Sequence, residues 1–208
     1  RQRLAIPAMG SSRRIRRTWA TPRALAKLSD YLTHIVQLCQ AGLPLEDGLT
    51  LTRLYADNGA THLLRAGATR GFCEAWDDAV VSFWQLMVLG CQLDAPRRRL
   101  LHLRGSDGGC GVQSCCLRSA AAHLGSWELC FAGVCASFGF ASADQFRAAL
   151  PGLAATIEAS AGVYREQSGS PYTFAYDALV SAPAKRRQAA LMEAVFSAEA
   201  GRALEWAT

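Results

Sequence analysis

TPRALAKLSDYLTHIVQLCQAGLPLEDGLTLTRLYADNG, residues 21–59, is the stretch whose reading decides the fold. Leu25, Leu28, Leu32, Ile35, Val36 and Cys39 recur at steps of three and four, which lines them along one face of an α-helix. Thr21 is a capping residue type and Pro22 suits a first helical position, so the spacing predicts a helix that starts at Thr21. Gly42 ends it and Pro44 prevents its continuation. A second helix is expected from about Pro44 to Asp57, with Leu45, Leu49, Thr52 and Ala56 on one side and Asn58-Gly59 as its stop. The two make a tight helical hairpin.

The same signals continue outward. A short helix is expected over residues 61–68. Phe72, Trp76, Val80, Phe83, Trp84 and Met87 form the next apolar face, ending at Gly90. Asp94 and Pro96 start a helix that Gly105 ends, and GSDGGCG, residues 105–111, reads as a flexible, solvated loop. Ser114 caps a helix expected to break at Gly125-Ser126 and to resume from Trp127 to Phe138. Ser142 and Gln145 have capping-box spacing for a helix kinked at Pro151-Gly152. Residues 161–171 read as a loop, and two helices, residues 173–181 and 184–206, complete the chain. No strand alternation appears. The expectation is an all-α protein, an irregular array or bundle of about nine or ten helices. Helical-hairpin repeats are one arrangement, since hairpin starts near 61, 94 and 126 are 33 and 32 residues apart.

Ala41-Gly42-Leu43-Pro44-Leu45-Glu46-Asp47-Gly48-Leu49 is similar to the "AGLPLEEAL"-like turn in the repeated cytoplasmic domain of type II secretion and type IV pilus inner-membrane platform proteins. The likeness covers about a tenth of the chain and implies a helix–turn–helix unit, without counterparts of that family's membrane helices. AAAHLGSWELCFAGVCASFGFASADQF, residues 120–146, resembles the degenerate helix pairs of organellar RNA-binding helical repeats, without a diagnostic signature.

Charge is distributed unevenly. Residues 1–27 hold seven Arg and one Lys and no carboxylate; Asp30 is the first acid. The rest of the chain carries 14 basic and 17 acidic residues. A short Arg-rich segment on a near-neutral body points to a polyanion or to a targeting signal. Residues 1–20 therefore read as a basic extended arm and residues 21–208 as one helical domain. Arg, Ser and the lack of acids give the arm the composition of a mitochondrial or plastid presequence. Within it Arg1, Arg3, Arg13, Arg14, Arg16 and Arg17 are candidate phosphate contacts, and Trp19 is a candidate base-stacking group. Arg97, Arg98, Arg99, Lys185, Arg186 and Arg187 form two secondary basic clusters.

Half of the residues are apolar and 19% are charged, so the chain can bury a large core and still leave low-charge helical faces for neighbouring subunits. The eight cysteines fall mostly where small apolar residues would sit and read as reduced core thiols. Val80–Leu93 is too short to span a membrane, and Ala120–Ala143 contains His123, Ser126, Glu128 and several helix breakers.

Chemistry finds little support. Cys110 and Cys115, and Cys130 and Cys135, have four residues between them. Within a helix that step turns about 500°, so the second pair's thiols point roughly 140° apart. No Gly-x-Ser-x-Gly elbow occurs, and GSDGGCG lacks the preceding strand and the Lys-Ser/Thr of a nucleotide loop. The paired carboxylates Glu46-Asp47 and Asp77-Asp78 read as residues of helix starts or solvent faces. These readings predict a non-catalytic structural subunit without metal or cofactor. The expected setting is an organellar ribonucleoprotein, first the mitochondrial ribosome, with rRNA bound by the arm. An accessory subunit of a mitochondrial membrane complex, its arm on anionic lipid, is one alternative. A soluble enzyme whose site assembles only in three dimensions is the other.

Overall fold

The computed structural model describes residues 12–89, 92–181 and 187–205, and among these every regular element is helical. The first helix, α1, spans Ser12–Gln40 and so begins nine residues before Thr21. Ala and Arg are good helix formers, and residues 12–20 contain neither Gly nor Pro. The part of the arm from residue 12 onward is therefore helical rather than extended, and Thr21 and Pro22 lie inside the helix rather than at its start. Gly42 takes φ +109, and the Leu43 N–H turns back to the Leu38 carbonyl at 2.9 Å. That left-handed glycine closes α1 where expected.

α2 (Leu45–Gly59) returns along α1, and α3 (Thr61–Arg65) follows at once. α4 (Arg70–Trp84) is capped by Thr69, whose hydroxyl accepts the Phe72 N–H at 3.3 Å, and it continues into a π-helical turn, Gln85–Leu89. α5 (Ala95–His102) starts at Asp94, whose carboxylate accepts the Arg97 N–H at 2.9 Å. α6 (Cys115–Phe138) is the central helix. α7 (Ala143–Ala149), α8 (Pro151–Ser168), α9 (Tyr176–Ser181) and α10 (Arg187–Glu205) complete the described chain.

Two apolar cores share α6 as a common wall. The first gathers Leu28, Leu32 and Ile35 of α1 with Phe72, Trp76 and Val80 of α4, against the amino-terminal half of α6. The second surrounds Phe131, whose ring meets Phe146, Phe174 and Tyr176 edge-on with centroids 4.9, 5.7 and 5.5 Å away. Phe131 has no exposed surface, so its truncation to alanine costs about 3–5 kcal/mol.

Four local expectations are corrected. α6 does not break at Gly125: α10 crosses there, and a Cβ on Gly125 would lie 2.6 Å from Cβ of Gln188. That glycine serves close helix packing and ends nothing. Since residue 126 lies within α6, the repeat spacing has no third start. Residues 161–168 continue α8, with Ala161 and Tyr164 prolonging the stripe of Ile157, and the chain turns only at Gly169. Residues 105–111 fold back on α5: the Cys110, Gly111 and Val112 N–H groups bond the carbonyls of Leu100, Leu103 and Leu101. The loop thus occupies acceptors that the end of α5 leaves open.

Among the described residues no single helix is long and apolar enough to cross a membrane. The pair α6 and α7 bends by 78° between its members, and much of α6 is buried in the two cores.

Candidate functional site

A cleft of about 380 Å³ opens where the α3–α4 turn meets α6 and α8, with Cys73, Cys116, Ser119, His123, Ser160 and Glu166 on its walls. Gly67 roofs one end with φ +78; a Cβ there would come within 3.0 Å of the His123 ring. His123 is 2% exposed and bonded on both ring nitrogens. Trp127 donates its indole N–H to Nε2 at 2.9 Å, and Nδ1 lies 2.8 Å from Ser160 Oγ. An indole can only donate, so Nε2 is the acceptor and Nδ1 carries the hydrogen, which it gives to Ser160. A serine nucleophile needs an imidazole nitrogen that accepts its proton. This arrangement is the reverse.

Several other polar groups of the cleft are engaged, whereas Gln167 Oε1 is buried without a hydrogen-bond partner among the described residues. Glu74 pairs with Arg70 at 2.7 Å, and Gln167 donates to the Cys116 carbonyl at 2.9 Å. Burial, and then the charge of Asp77, push the Cys73 thiol up to about 11, and the same causes raise Cys116 further. Neither thiol supplies a thiolate at neutral pH. The cleft can hold a small polar molecule but presents no activated nucleophile.

No group of three or more His, Cys, Asp or Glu side chains placed to hold a metal occurs among the described residues. Cys115 and Cys135 are buried while Cys110 and Cys130 are at the surface, so neither spaced pair converges. Asp77, read as a helix-start or solvent-face residue, is only 9% exposed and does different work. It accepts Ser114 Oγ at 2.5 Å and the N–H groups of Cys115 and Cys116 at 2.6 and 3.1 Å. A carboxylate of α4 thereby caps α6. Nothing local in the sequence signals this, because the two partners are 38 residues apart.

The basic residues of the two secondary clusters and those of α1 separate into two kinds. Arg97 lies 3.9 Å from Asp94, Arg98 pairs with Asp78, and Arg99 lies 3.5 Å from Glu199. Arg187 lies 3.5 Å from Glu128, a carboxylate that is 1% exposed and also accepts the Tyr172 hydroxyl at 2.8 Å. These arginines tie α5 to α4 and α10, and α10 to α6. By contrast Arg23 and Lys27, both exposed on α1, take part in none of the described ion pairs. Arg13, Arg14, Arg16, Arg17 and Trp19 occupy the first turns of α1. Arg1, Arg3, Lys185 and Arg186 lie outside the described residues.

One feature of this surface escaped the sequence reading. Tyr31 of α1 and Tyr55 of α2 stack with centroids 4.8 Å apart and planes 17° from parallel, and they are 46% and 48% exposed. Tyr31 stands off the leucine stripe of α1, and only the return of α2 brings Tyr55 beside it. No protein-family model matches this chain, and no curated protein or solved structure matches it either.

Proposed function

We propose that the chain is a non-catalytic helical subunit that binds RNA backbone through the basic first part of α1, within an organellar ribonucleoprotein and first of all the mitochondrial ribosome. The observation that carries this reading is the contrast between the two kinds of cation. The arginines of α5 and the start of α10 stand against carboxylates of the body, whereas residues 1–27 hold eight cations and no acid. Like charges three or four residues apart on a helix repel by a few tenths of a kcal/mol per pair. Positions 13 and 16, 14 and 17, 13 and 17, and 23 and 27 all have that spacing. A phosphate backbone relieves the repulsion and releases counterions as it binds. The cleft's reversed His123–Ser160 bond and its protonated thiols support the non-catalytic half of the reading. The test is RNA binding by the full chain and by a chain lacking residues 1–20. Salt-sensitive binding that disappears with the deletion supports it; binding that survives, or goes to cardiolipin vesicles alone, removes it.

A further inference from the structure

We propose that the stacked pair Tyr31–Tyr55 is a base-stacking platform for single-stranded RNA, placed along α1 from the cations that hold the phosphates. The proposal rests on the RNA reading above and adds to it the strand state of the ligand and a second, aromatic subsite.

Position comes first. Tyr31 follows Lys27 by one helical turn and Arg23 by about two, at the i and i+4 spacing of surface neighbours. The helical neighbours of Tyr31 are Lys27, Leu28, His34 and Ile35; those of Tyr55 are Leu51, Thr52, Asn58 and Gly59. No carboxylate is among them. Asp30 precedes Tyr31 but is turned about 100° from it around the helix.

Shape comes second. Each tyrosine gives one side of its ring to the other and keeps about half of its surface in water. Tyr164, by contrast, has its ring buried in the second core. This pair instead stands at the surface beside exposed Leu54. A nucleobase stacks on an aromatic face without regard to its identity, while cations along the groove take its phosphates. Duplex RNA keeps its bases stacked on one another and offers the rings nothing. A second copy of this chain would bring its own cationic segment up to the first, so like charge opposes self-association at this face.

The experiment measures binding of the full chain to three probes: a twelve-nucleotide oligouridine, an abasic strand of the same length and charge, and a twelve-base-pair RNA duplex. Tyr31→Ala and Tyr55→Ala are each expected to weaken oligouridine binding roughly tenfold. Tyr31→Phe and Tyr55→Phe retain it, and circular dichroism checks that all four variants are folded. Neither alanine variant changes binding of the abasic strand or of the duplex. Equal affinity of native and alanine variants for oligouridine overturns the platform, as does an equal loss on the abasic strand. A variant with Arg13, Arg14, Arg16 and Arg17 changed to Gln separates the two claims. If it loses RNA binding while the tyrosines make no difference, the platform alone fails. If it binds as the native chain does, the reading beneath the platform fails too. Concentration-dependent dimers abolished by Tyr55→Ala would also overturn the proposal, by assigning the face to a second copy.

Discussion

Trp127 donates its indole N–H to Nε2 of His123 across 2.9 Å, one helical turn away on α6. That bond settles the tautomer of the one histidine in the cleft and turns its other nitrogen into a donor toward Ser160. Nitrogen-edited NMR of the native protein at neutral pH should therefore report hydrogen on Nδ1 and none on Nε2. In Trp127→Phe the preference relaxes. Hydrogen on Nε2 in the native chain would contradict the assignment and return Ser160 to consideration as a nucleophile.

Asp77 is expected to matter far more to folding than its neighbour. Asp77→Ala strips the buried start of α6 of the acceptor for two backbone N–H groups and one hydroxyl, at about 3 kcal/mol. Asp78 is exposed and pairs with Arg98, so Asp78→Ala costs about 1 kcal/mol or less. Urea unfolding of the two variants gives the comparison directly; equal losses would refute it.

Two glycines of α6 should respond in opposite directions to alanine. Gly125→Ala pushes a methyl group into Gln188 of α10 and is expected to destabilise by about 1–3 kcal/mol. Gly133 has open space around its Cβ position, so Gly133→Ala is expected to stabilise by about 0.5–1 kcal/mol through helix propensity alone. Thermal unfolding of both variants checks the signs.

These residues mark where the chain could be read without its structure. The α1–α2 hairpin was legible because its signals are local: a leucine stripe, Gly42 with positive φ, and a proline just beyond. The continuity of α6 through Gly125 was not, because a glycine that stops a helix, as Gly42 does, and one that lets another helix cross, as Gly125 does, look alike in one dimension. Arg98 and Arg99 of α5 read in the sequence only as part of a secondary basic cluster, because their carboxylate partners, Asp78 on α4 and Glu199 on α10, are remote in sequence. Asp77 was misplaced for the same reason. The charge imbalance of residues 1–27 needs no folding to be seen, whereas the Tyr31–Tyr55 pair exists only once α2 has turned back.

Alkaline pH should weaken the fold over a defined window. The Cys73 thiol ordinarily ionises near 9.0 and is pushed up to about 11 by burial and by Asp77. Between those values the unfolded chain has released the proton and the folded chain has not, so rising pH favours unfolding. The contribution is complete below pH 9 and lost by about pH 11. Burial and Glu128 raise the Tyr172 phenol as well, adding to the same trend at higher pH. Urea midpoints from pH 7 to 11 should stay level and then fall, with a shallower fall in Cys73→Ala. Midpoints that remain level through pH 11 would contradict the assignment.

The central claim is that the cations of α1 meet phosphates while those of α5 serve the fold. The slope of log affinity against log salt for oligouridine tests it most directly, since single-stranded RNA gives about −0.7 per phosphate neutralised. Changing Arg13, Arg14, Arg16 and Arg17 to Gln is predicted to flatten that slope by about three units without lowering the melting temperature. Changing Arg98 and Arg99 to Gln should lower the melting temperature and leave the slope where it was. The opposite pattern, with the slope following α5 and the stability following α1, would contradict the account.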